Sequence, residues 1–262
     1  MNVLSLDIDG FNLQNDDFDF IVLGLFEGER EIKSNELLSD GLDYYYGKNK
    51  EKKLLLKGQI KNNILANLFK LKQVLFKKGL KKLNITIDSM QFYVNVDLEN
   101  WVCDEFNPEF IACQLVAPDP YLYSINNQII SLGATSNNGL VFPMTFPISF
   151  GNLTGGIGTI SNVGNAVAYP VITVIGSCSN LVITNVTTGE SMSLNVNLGS
   201  TDTLIIDNRP KTRSITLNGI NRIDLKQGDW LSCTIGDNQF SFSRNSIELK
   251  QHCTIDLKPR WI

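Results

Sequence analysis

The chain has 262 residues, of which 43% are hydrophobic and 19% charged. A chain of this length and composition is typical of a globular protein with one or two domains, and it buries about 70–75% of the surface that its unfolded form exposes, so no disulfide framework is needed. The net charge of −4 and the pI of about 5.1 exclude a general electrostatic attraction to nucleic acid or to an anionic membrane.

The composition favours strands and turns over helices. There are only 6 alanines against 28 asparagines and 20 glycines. Alanine is the best helix former, whereas asparagine and glycine are enriched in turns and at strand ends. The composition therefore predicts a mainly β protein.

The charges are distributed unevenly along the chain. Residues 1–45 hold 11 acids against two basic residues, and residues 48–82 hold twelve lysines against a single acid, Glu51. Residues 126–262 are nearly neutral, with 9 basic and 8 acidic side chains. A change in charge density of this size predicts two domains, residues 1–125 and residues 126–262.

The first half predicts strands around one helix, and hence an α+β N-terminal domain. The helix, at residues 62–78, begins at Asn62 or Asn63 and ends before Gly79. Five apolar residues recur at helical spacing in it, and the short apolar runs around it predict strands. The five are Ile64, Leu65, Leu68, Leu71 and Leu75, and the runs are Val3–Leu6, Phe20–Phe26, Leu54–Leu56, Ile85–Ile87, Phe92–Val96 and Phe110–Val116.

The lysines of residues 48–82 allow several interpretations. A basic amphipathic helix can lie on a membrane or bind calmodulin-like partners. The lysine-rich segment Lys48–Lys53 could bind nucleic acid, although a solvated hairpin or loop is its simplest interpretation. Aromatic residues do not interleave with the lysines as a stacking surface for nucleic acid would require. The simplest interpretation is a helix packed across a sheet, with Lys72 at the packing edge and its stem against apolar neighbours.

The second half predicts ten short strands and hence an antiparallel β-sandwich. Two-residue turns are predicted at Asn138-Gly139 and Asn218-Gly219. Across the whole sequence, the longest near-apolar stretches, such as FIACQLVAP from Phe110, are too short to span a bilayer. No membrane association is therefore expected. The strands are predicted at Gln128–Leu132, Thr159–Val163, Val171–Ile175, Leu181–Val186, Ser191–Val196, Thr203–Ile206, Ser214–Leu217, Trp230–Ile235, Gln239–Ser243 and Thr254–Leu257.

The first residues contain the motif closest to an enzyme. The segment VLSLDIDGF resembles the first motif of haloacid-dehalogenase phosphotransferases, in which Asp7 would be the nucleophile and Asp9 the acid/base. Phe11 stands where that family has Thr, and the alternating strands and helices of its doubly wound sheet are missing. A strand followed by an Asp-Gly turn is the preferred interpretation.

Other candidate sites are weaker still. An EF-hand counted from Asp7 fails at its sixth and twelfth positions, which leaves only an irregular calcium site. The five cysteines lack zinc-site spacing, and His252 and Cys253 are neighbours on a predicted strand, so their side chains point to opposite faces. We therefore predict no catalytic residue, no metal site and no cofactor.

Several segments resemble the distal tail protein (Dit) family of siphoviruses. The junction FIACQLVAPDPYLYS resembles the end of that family's N-terminal domain, and AYPVITVIGSCSNLVITNVTTGESMSLN resembles its Tyr-Pro start and Asn-x-Thr-Thr-Gly hairpin. The segments TLIIDNRPKTRSITLNG, WLSCTIGDNQFSFS and DLKPRWI resemble later strands in the same order. The resemblance covers most of the chain and is strongest from Phe110 to Ile262.

This resemblance implies a fold and a function. The N-terminal domain would form a homo-hexameric ring, and the C-terminal domain would have a galectin-like or carbohydrate-module-like sandwich. The ring would join the tail tube protein to the tail-associated lysin or fibre and carry receptor-binding proteins. The protein would be made in the bacterial host cytoplasm and lie at the virion tail tip, as a structural component and not an enzyme.

Candidate contact residues follow from the same interpretation. The consecutive tyrosines Tyr44, Tyr45 and Tyr46, with Leu68 and Lys72 on the helix, are predicted to contribute to ring contacts, because tyrosine is enriched at interfaces. Local packing of the tyrosines is the alternative. The alternative function is a carbohydrate-binding or lectin-like receptor binder, for which Trp230 would provide the sugar platform.

Overall fold

The computed structural model describes residues 3–36, 42–133, 156–245 and 252–262. The chain divides into two compact units, Met1–Ile125 with Trp261–Ile262 and Asn126–Arg260. Within each unit, neighbouring strands pair in the antiparallel direction. The predicted mainly β fold class, with one α-helix among the described residues, is confirmed.

The first unit is built on one nine-stranded sheet, with the strand order β2-β1-β7-β8-β9-β6-β3 and with β10 and β22 paired at its side. A separate hairpin is formed by β4 and β5. The elements are β1 Val3–Ile8, β2 Phe11–Asn12, β3 Phe18–Leu23, β4 Arg30–Glu36, β5 Leu42–Asn49, β6 Lys52–Ile60, α1 Ile64–Leu75, β7 Lys81–Ile87, β8 Met90–Cys103, β9 Phe110–Ala117, β10 Leu122–Ser124 and β22 Arg260–Trp261.

The long strand β8 connects the two halves of this sheet. Its first half pairs with β7, and its second half pairs with β9 after a register shift between Leu98 and Asn100. Inner and outer residues alternate along β3 and β6, so one face of each strand is buried and the other exposed. The inner faces and α1 enclose a single apolar core.

The second unit is a β-sandwich of two antiparallel sheets. A six-stranded sheet has the order β11-β21-β13-β16-β17-β18, and a five-stranded sheet has the order β12-β20-β14-β15-β19. Both sheets contribute to one core. The strands are β11 Gln128–Gly133, β12 Ile157–Asn162, β13 Val171–Ile175, β14 Cys178–Asn185, β15 Ser191–Leu198, β16 Thr203–Asp207, β17 Ser214–Leu217, β18 Ile220–Asn221, β19 Lys226–Gly228, β20 Gly236–Asn245 and β21 His252–Leu257, with a 3-10 helix at Ile223–Leu225.

One of the two predicted two-residue turns lies in the described part of this unit. Asn218 and Gly219 have φ angles of 50° and 81° and join β17 to β18, where Leu217 pairs with Ile220. Two consecutive positive φ angles are what a two-residue type I′ hairpin turn requires. The predicted turn at Asn138-Gly139 lies outside the described residues.

The predicted strand Trp230–Ile235 is wrong. The segment makes only an isolated bridge, between Cys233 and Ala168, and joins neither sheet. Leu231 and Cys233 are fully buried, whereas Ser232 and Thr234 are half-buried. Burial therefore alternates along the segment as it does along a strand.

Buried polar side chains take the place of a neighbouring strand in this segment. The Leu231 amide donates to Asn208 Oδ1 at 2.9 Å and the Ser232 amide to Glu190 Oε2 at 2.6 Å. Asn238 accepts from the Thr234 amide and donates to the Thr234 carbonyl. The carbonyls of Ser232 and Cys233 accept from the side chains of Asn185 and Asn162. Such pairing satisfies buried backbone groups without a ladder.

Candidate interaction surfaces

The inner side of α1 packs on the core of the first unit. Leu68, Leu71 and Leu75 are buried in that core. Leu68, a predicted interface residue, is only 7% exposed, so its side chain is committed to its own unit. Lys72 is half-buried, and its ammonium lies 5.6 Å from the centroid of the Trp101 ring, a favourable distance for a cation–π interaction.

The helix boundaries differ from the prediction. The helix ends at Leu75, and the amide of the capping residue that follows it, Phe76, donates to the Lys72 and Val74 carbonyls, so Gly79 lies beyond the end. At the start, Asn63 has a left-handed backbone and makes no capping hydrogen bond through its side chain. The Asn67 side chain donates instead to the Asn62 carbonyl at 2.7 Å. The helix is therefore shorter than the predicted residues 62–78.

The outward side of α1 carries a second apolar stripe. Leu65 is 64% exposed, Phe69 67% and Phe76 59%. Because these residues are four and eleven positions apart, they lie on one side of the helix. Leu65 was expected on the buried side of the helix, but it lies on the exposed side. The spacing of the two phenylalanines from Leu65 is the signal in the sequence that would have revealed the stripe.

A cavity adjoins the end of this stripe. Its volume is about 400 Å³, and Phe76 and Trp101 form an aromatic pair in its wall with ring centroids 5.8 Å apart. The buried Lys81 ammonium lines it and pairs with Asp97. The hydrogen bond from Lys81 is the main reason that the pKa of Asp97 lies below its ordinary value. The cavity thus combines aromatic walls with fixed charges.

The helix and the turn after it form a basic surface. Residues 61–82 contain seven lysines and no acid. Lys70 is exposed on the same helix and its ammonium donates to Asn67 Oδ1 at 3.1 Å, and Lys77 lies 4.0 Å from Asp9. We call Leu65, Phe69, Lys70, Phe76 and Lys77 the helix surface.

A second apolar surface lies on β3, the last strand of the main path of the sheet. Its outward residues are Asp19, Ile21 and Leu23. Ile21 is 43% exposed, Leu23 41% and the following Phe26 53%. The exposed Asp16 precedes this strand. We call Asp16, Asp19, Ile21, Leu23 and Phe26 the edge surface.

The hairpin of β4 and β5 forms a two-stranded sheet of its own among the described residues. Its register pairs Arg30 with Asn49 and Glu36 with Leu42, with a shift after Lys33. Tyr44, Tyr45 and Tyr46 lie in β5, and their side chains lie outside the part of the chain that is described. Their predicted interface role stays a prediction.

Trp230 lies half-buried against the core of the second unit. The Lys226 ammonium is 4.9 Å from the centroid of its ring, and the Arg213 guanidinium carbon is 5.5 Å from it. Two cations thus already face this indole. The sugar-platform role stays a prediction.

The acidic motif near the first strand forms a turn. Asp7 Oδ1 accepts from the Gly10 amide at 3.0 Å and from the Asn84 side chain at 2.9 Å, and Asp9 Oδ1 accepts from the Lys82 amide at 2.8 Å. Both carboxylates therefore hold backbone and side chains of β1 and β7 together. Within the described residues, no group of three or more His, Cys, Asp or Glu side chains could hold a metal ion.

His252 lies in β21 and pairs with Gly133 and Ile175, while its side chain is outside the described part. The neighbouring Cys253 is fully buried.

In the described ranges, no helix is long and apolar enough to cross a membrane.

Comparison with known proteins identifies the type of the second unit. Residues 163–261 match the family model of the siphovirus-type tail component, C-terminal domain. The resemblance to siphovirus distal tail proteins is confirmed. No curated protein matches the sequence.

Solved structures extend the similarity of fold beyond this tail component domain. The Dit protein (gp 19.1) of phage SPP1, described as a paradigm of the hub adsorption apparatus in phages that infect Gram-positive bacteria, aligns with a TM-score of 0.72 at 12% identity. The alignment covers 98% of this chain and 99% of that protein. A chain of the phage P2 baseplate in its activated conformation with Ca aligns with a TM-score of 0.53 at 10% identity and covers 97% of both chains. The fold of this chain, including the segment that matches the tail component model, is thus similar to that of Dit over nearly its whole length.

Proposed function

We propose that the protein is a hub component of a phage tail tip or baseplate. The observation that carries this proposal is the match to the Dit fold over nearly the entire length of both chains, together with the tail component domain at residues 163–261. Six copies form a ring through the first unit, residues 1–125. The ring joins the tail tube protein to the tail-associated lysin or fibre at the tip of the virion tail.

Features of the first unit support assembly. An isolated two-stranded hairpin is marginally stable in water, so the separate sheet of β4 and β5 gains stability if another copy covers it. The exposed apolar residues of β3 and α1 are also typical of surfaces that bind a partner. Contacts that repeat around a closed ring would cover such surfaces in every copy.

In this proposal the second unit, residues 126–260, is a galectin-like sandwich that receives the receptor-binding proteins. Its role is architectural rather than catalytic. The proposal does not require a cofactor, a metal ion or a nucleic-acid site.

The proposal is tested by the mass of the purified protein in light scattering and by negative-stain images. We expect a particle of six times the 29.2 kDa chain, with sixfold rings that bind the tail tube protein. A chain that stays monomeric at every concentration, and also in the presence of the tail tube protein, would contradict the ring.

A further inference from the structure

We propose that the helix surface of one copy docks on the edge surface of the next copy. This inference rests on the proposed ring and names the two surfaces that make its contact. The occupant of the helix surface is therefore a second copy of this chain.

Both surfaces are apolar at their centres. Leu65, Phe69 and Phe76 on one side, and Ile21, Leu23 and Phe26 on the other, are each between two-fifths and two-thirds exposed. Phenylalanine is enriched at the centres of protein interfaces, and contiguous exposed apolar residues are uncommon on monomers. Docking removes both groups from water at once.

The charges around the two surfaces are opposite. Residues 14–31 contain six acids and one base, Arg30, whereas residues 61–82 contain seven lysines and no acid. Lysines also lie near the edge surface: Lys57 is exposed on β6 opposite Ile21, and Lys53 and Lys61 are paired with Glu99 and Asp19 at 3.7 and 3.4 Å. Complementary potentials of this kind fix the register of an interface and disfavour contacts between like surfaces.

The two surfaces are on different elements, and both point away from the core. Leu71 of α1 and Leu56 of β6 belong to the same core, while Phe69 and the outward residues of β3 are exposed. The contact is heterologous where one helix surface and one edge surface meet between two copies, and repeated copies of such a contact form either a closed ring or an open filament.

Charge reversal of each surface tests the contact. The helix variant is Lys70→Glu with Lys77→Glu, and the edge variant is Asp16→Lys with Asp19→Lys; all four residues are exposed. Each variant alone places like charges opposite each other at every contact. We expect the concentration needed for assembly to rise about tenfold or more in each, as measured by light scattering.

Restoration of assembly is the decisive part of the test. A chain that carries all four substitutions again has opposite charges at every contact, and so does an equimolar mixture of the two variants, in which they alternate. We expect both samples to assemble within about threefold of the wild-type concentration. If neither restores assembly, the two surfaces do not meet and the inference is overturned.

Controls separate this inference from loss of folding and from the proposed function. The melting temperature of each variant shows that it is folded, and Lys211→Glu with Arg213→Glu makes the same charge change on exposed residues of the second unit. Phe69→Ser, which removes an apolar group without altering charge, is expected to weaken assembly as well.

If the wild type forms rings and the reversed variants form them equally well, this inference fails while the proposed function stands. If the wild type forms no ring even with the tail tube protein, it is the ring of the proposed function that fails.

Discussion

Asp207 shows how one carboxylate organises a corner of the second unit. Its oxygens accept from the Arg209 guanidinium at 2.9 and 2.6 Å, from the Arg209 amide at 2.9 Å and from the Thr212 hydroxyl at 2.8 Å. Burial alone would raise the pKa of Asp207, but these hydrogen bonds outweigh it and the pKa lies below its ordinary value. The ionised form is therefore the stabilising form.

This arrangement predicts a pH dependence. A lowered pKa in the folded state gives stability that is present above the unfolded value of about 4 and is lost as the pH falls through the folded pKa. Asp207→Asn should cost about 1–3 kcal/mol at pH 7 and should lose less stability than the wild type between pH 5 and pH 3. Urea unfolding across this range measures both effects, with the exposed Asp237→Asn as control. Parallel curves for the variant and the wild type would refute the role of the carboxylate.

The cysteines are expected to differ in reactivity because they differ in burial. Burial raises the pKa of the Cys113 and Cys233 thiols to about 12, so few thiolates form at neutral pH, and only the thiolate reacts. Cys103 is half-buried. We expect iodoacetamide at pH 8 to label Cys103 first and to reach Cys113 and Cys233 only after unfolding. Mass spectrometry of the labelled peptides checks the order, and equal labelling rates of the three residues in the folded protein would contradict it.

At the scale of elements, periodic patterns were predictable and remote partners were not. Strands such as β6 alternate between buried and exposed residues, and the Asn218-Gly219 turn follows from backbone chemistry alone. The segment Trp230–Ile235 alternates in the same way, because an extended backbone produces that pattern with or without a ladder. Apart from Asn238, its partners are distant in sequence, namely Asn162, Asn185, Glu190 and Asn208, and no local pattern locates them.

The interaction surfaces were predictable only in part. The position of α1 and its buried leucines follow from helical spacing, but a leucine on the buried side and one on the exposed side look alike in the sequence. The structure separates Leu65 from Leu68 because only one of them reaches the core. The edge surface could not be predicted from the sequence, because its exposure depends on the strand order of the sheet, in which β3 is the last strand.

The side chains that hold the extended segment should be essential to the second unit. Asn238→Ala removes a fully buried side chain and leaves the half-buried Thr234 amide and carbonyl without their partner, and an unpaired polar group away from water costs about 1–3 kcal/mol. We expect a loss of about 2–4 kcal/mol in the free energy of unfolding. Asn195→Ala, on the exposed side of β15, is the control and should change stability by less than about 0.5 kcal/mol. Equal effects of the two substitutions in urea unfolding would show that the segment is not held in this way.

For the whole molecule, the end of the chain belongs to the first unit. Trp261 packs on the first core, with its ring centroid 5.0 Å from that of Phe92 and the planes at 82°. Edge-to-face pairs of this kind add to the burial of apolar area. The last residues therefore stabilise residues that are more than 130 positions away.

Substitution of Trp261 should therefore affect one unit and not the other. Trp261→Ala is expected to destabilise the first unit by about 1–3 kcal/mol, while Trp230→Ala should affect the second. Hydrogen exchange assigns each loss to its unit. Faster exchange throughout the second unit in Trp261→Ala would contradict the division.

The two passages between the units lie side by side. The chain leaves the first unit after Ile125 and returns at Trp261, and the strands that flank these passages, β10 and β22, pair with each other. The second unit is thus a domain inserted into what would otherwise be a hairpin loop of the first. A different domain with neighbouring termini could therefore occupy the same position and leave the first sheet unchanged.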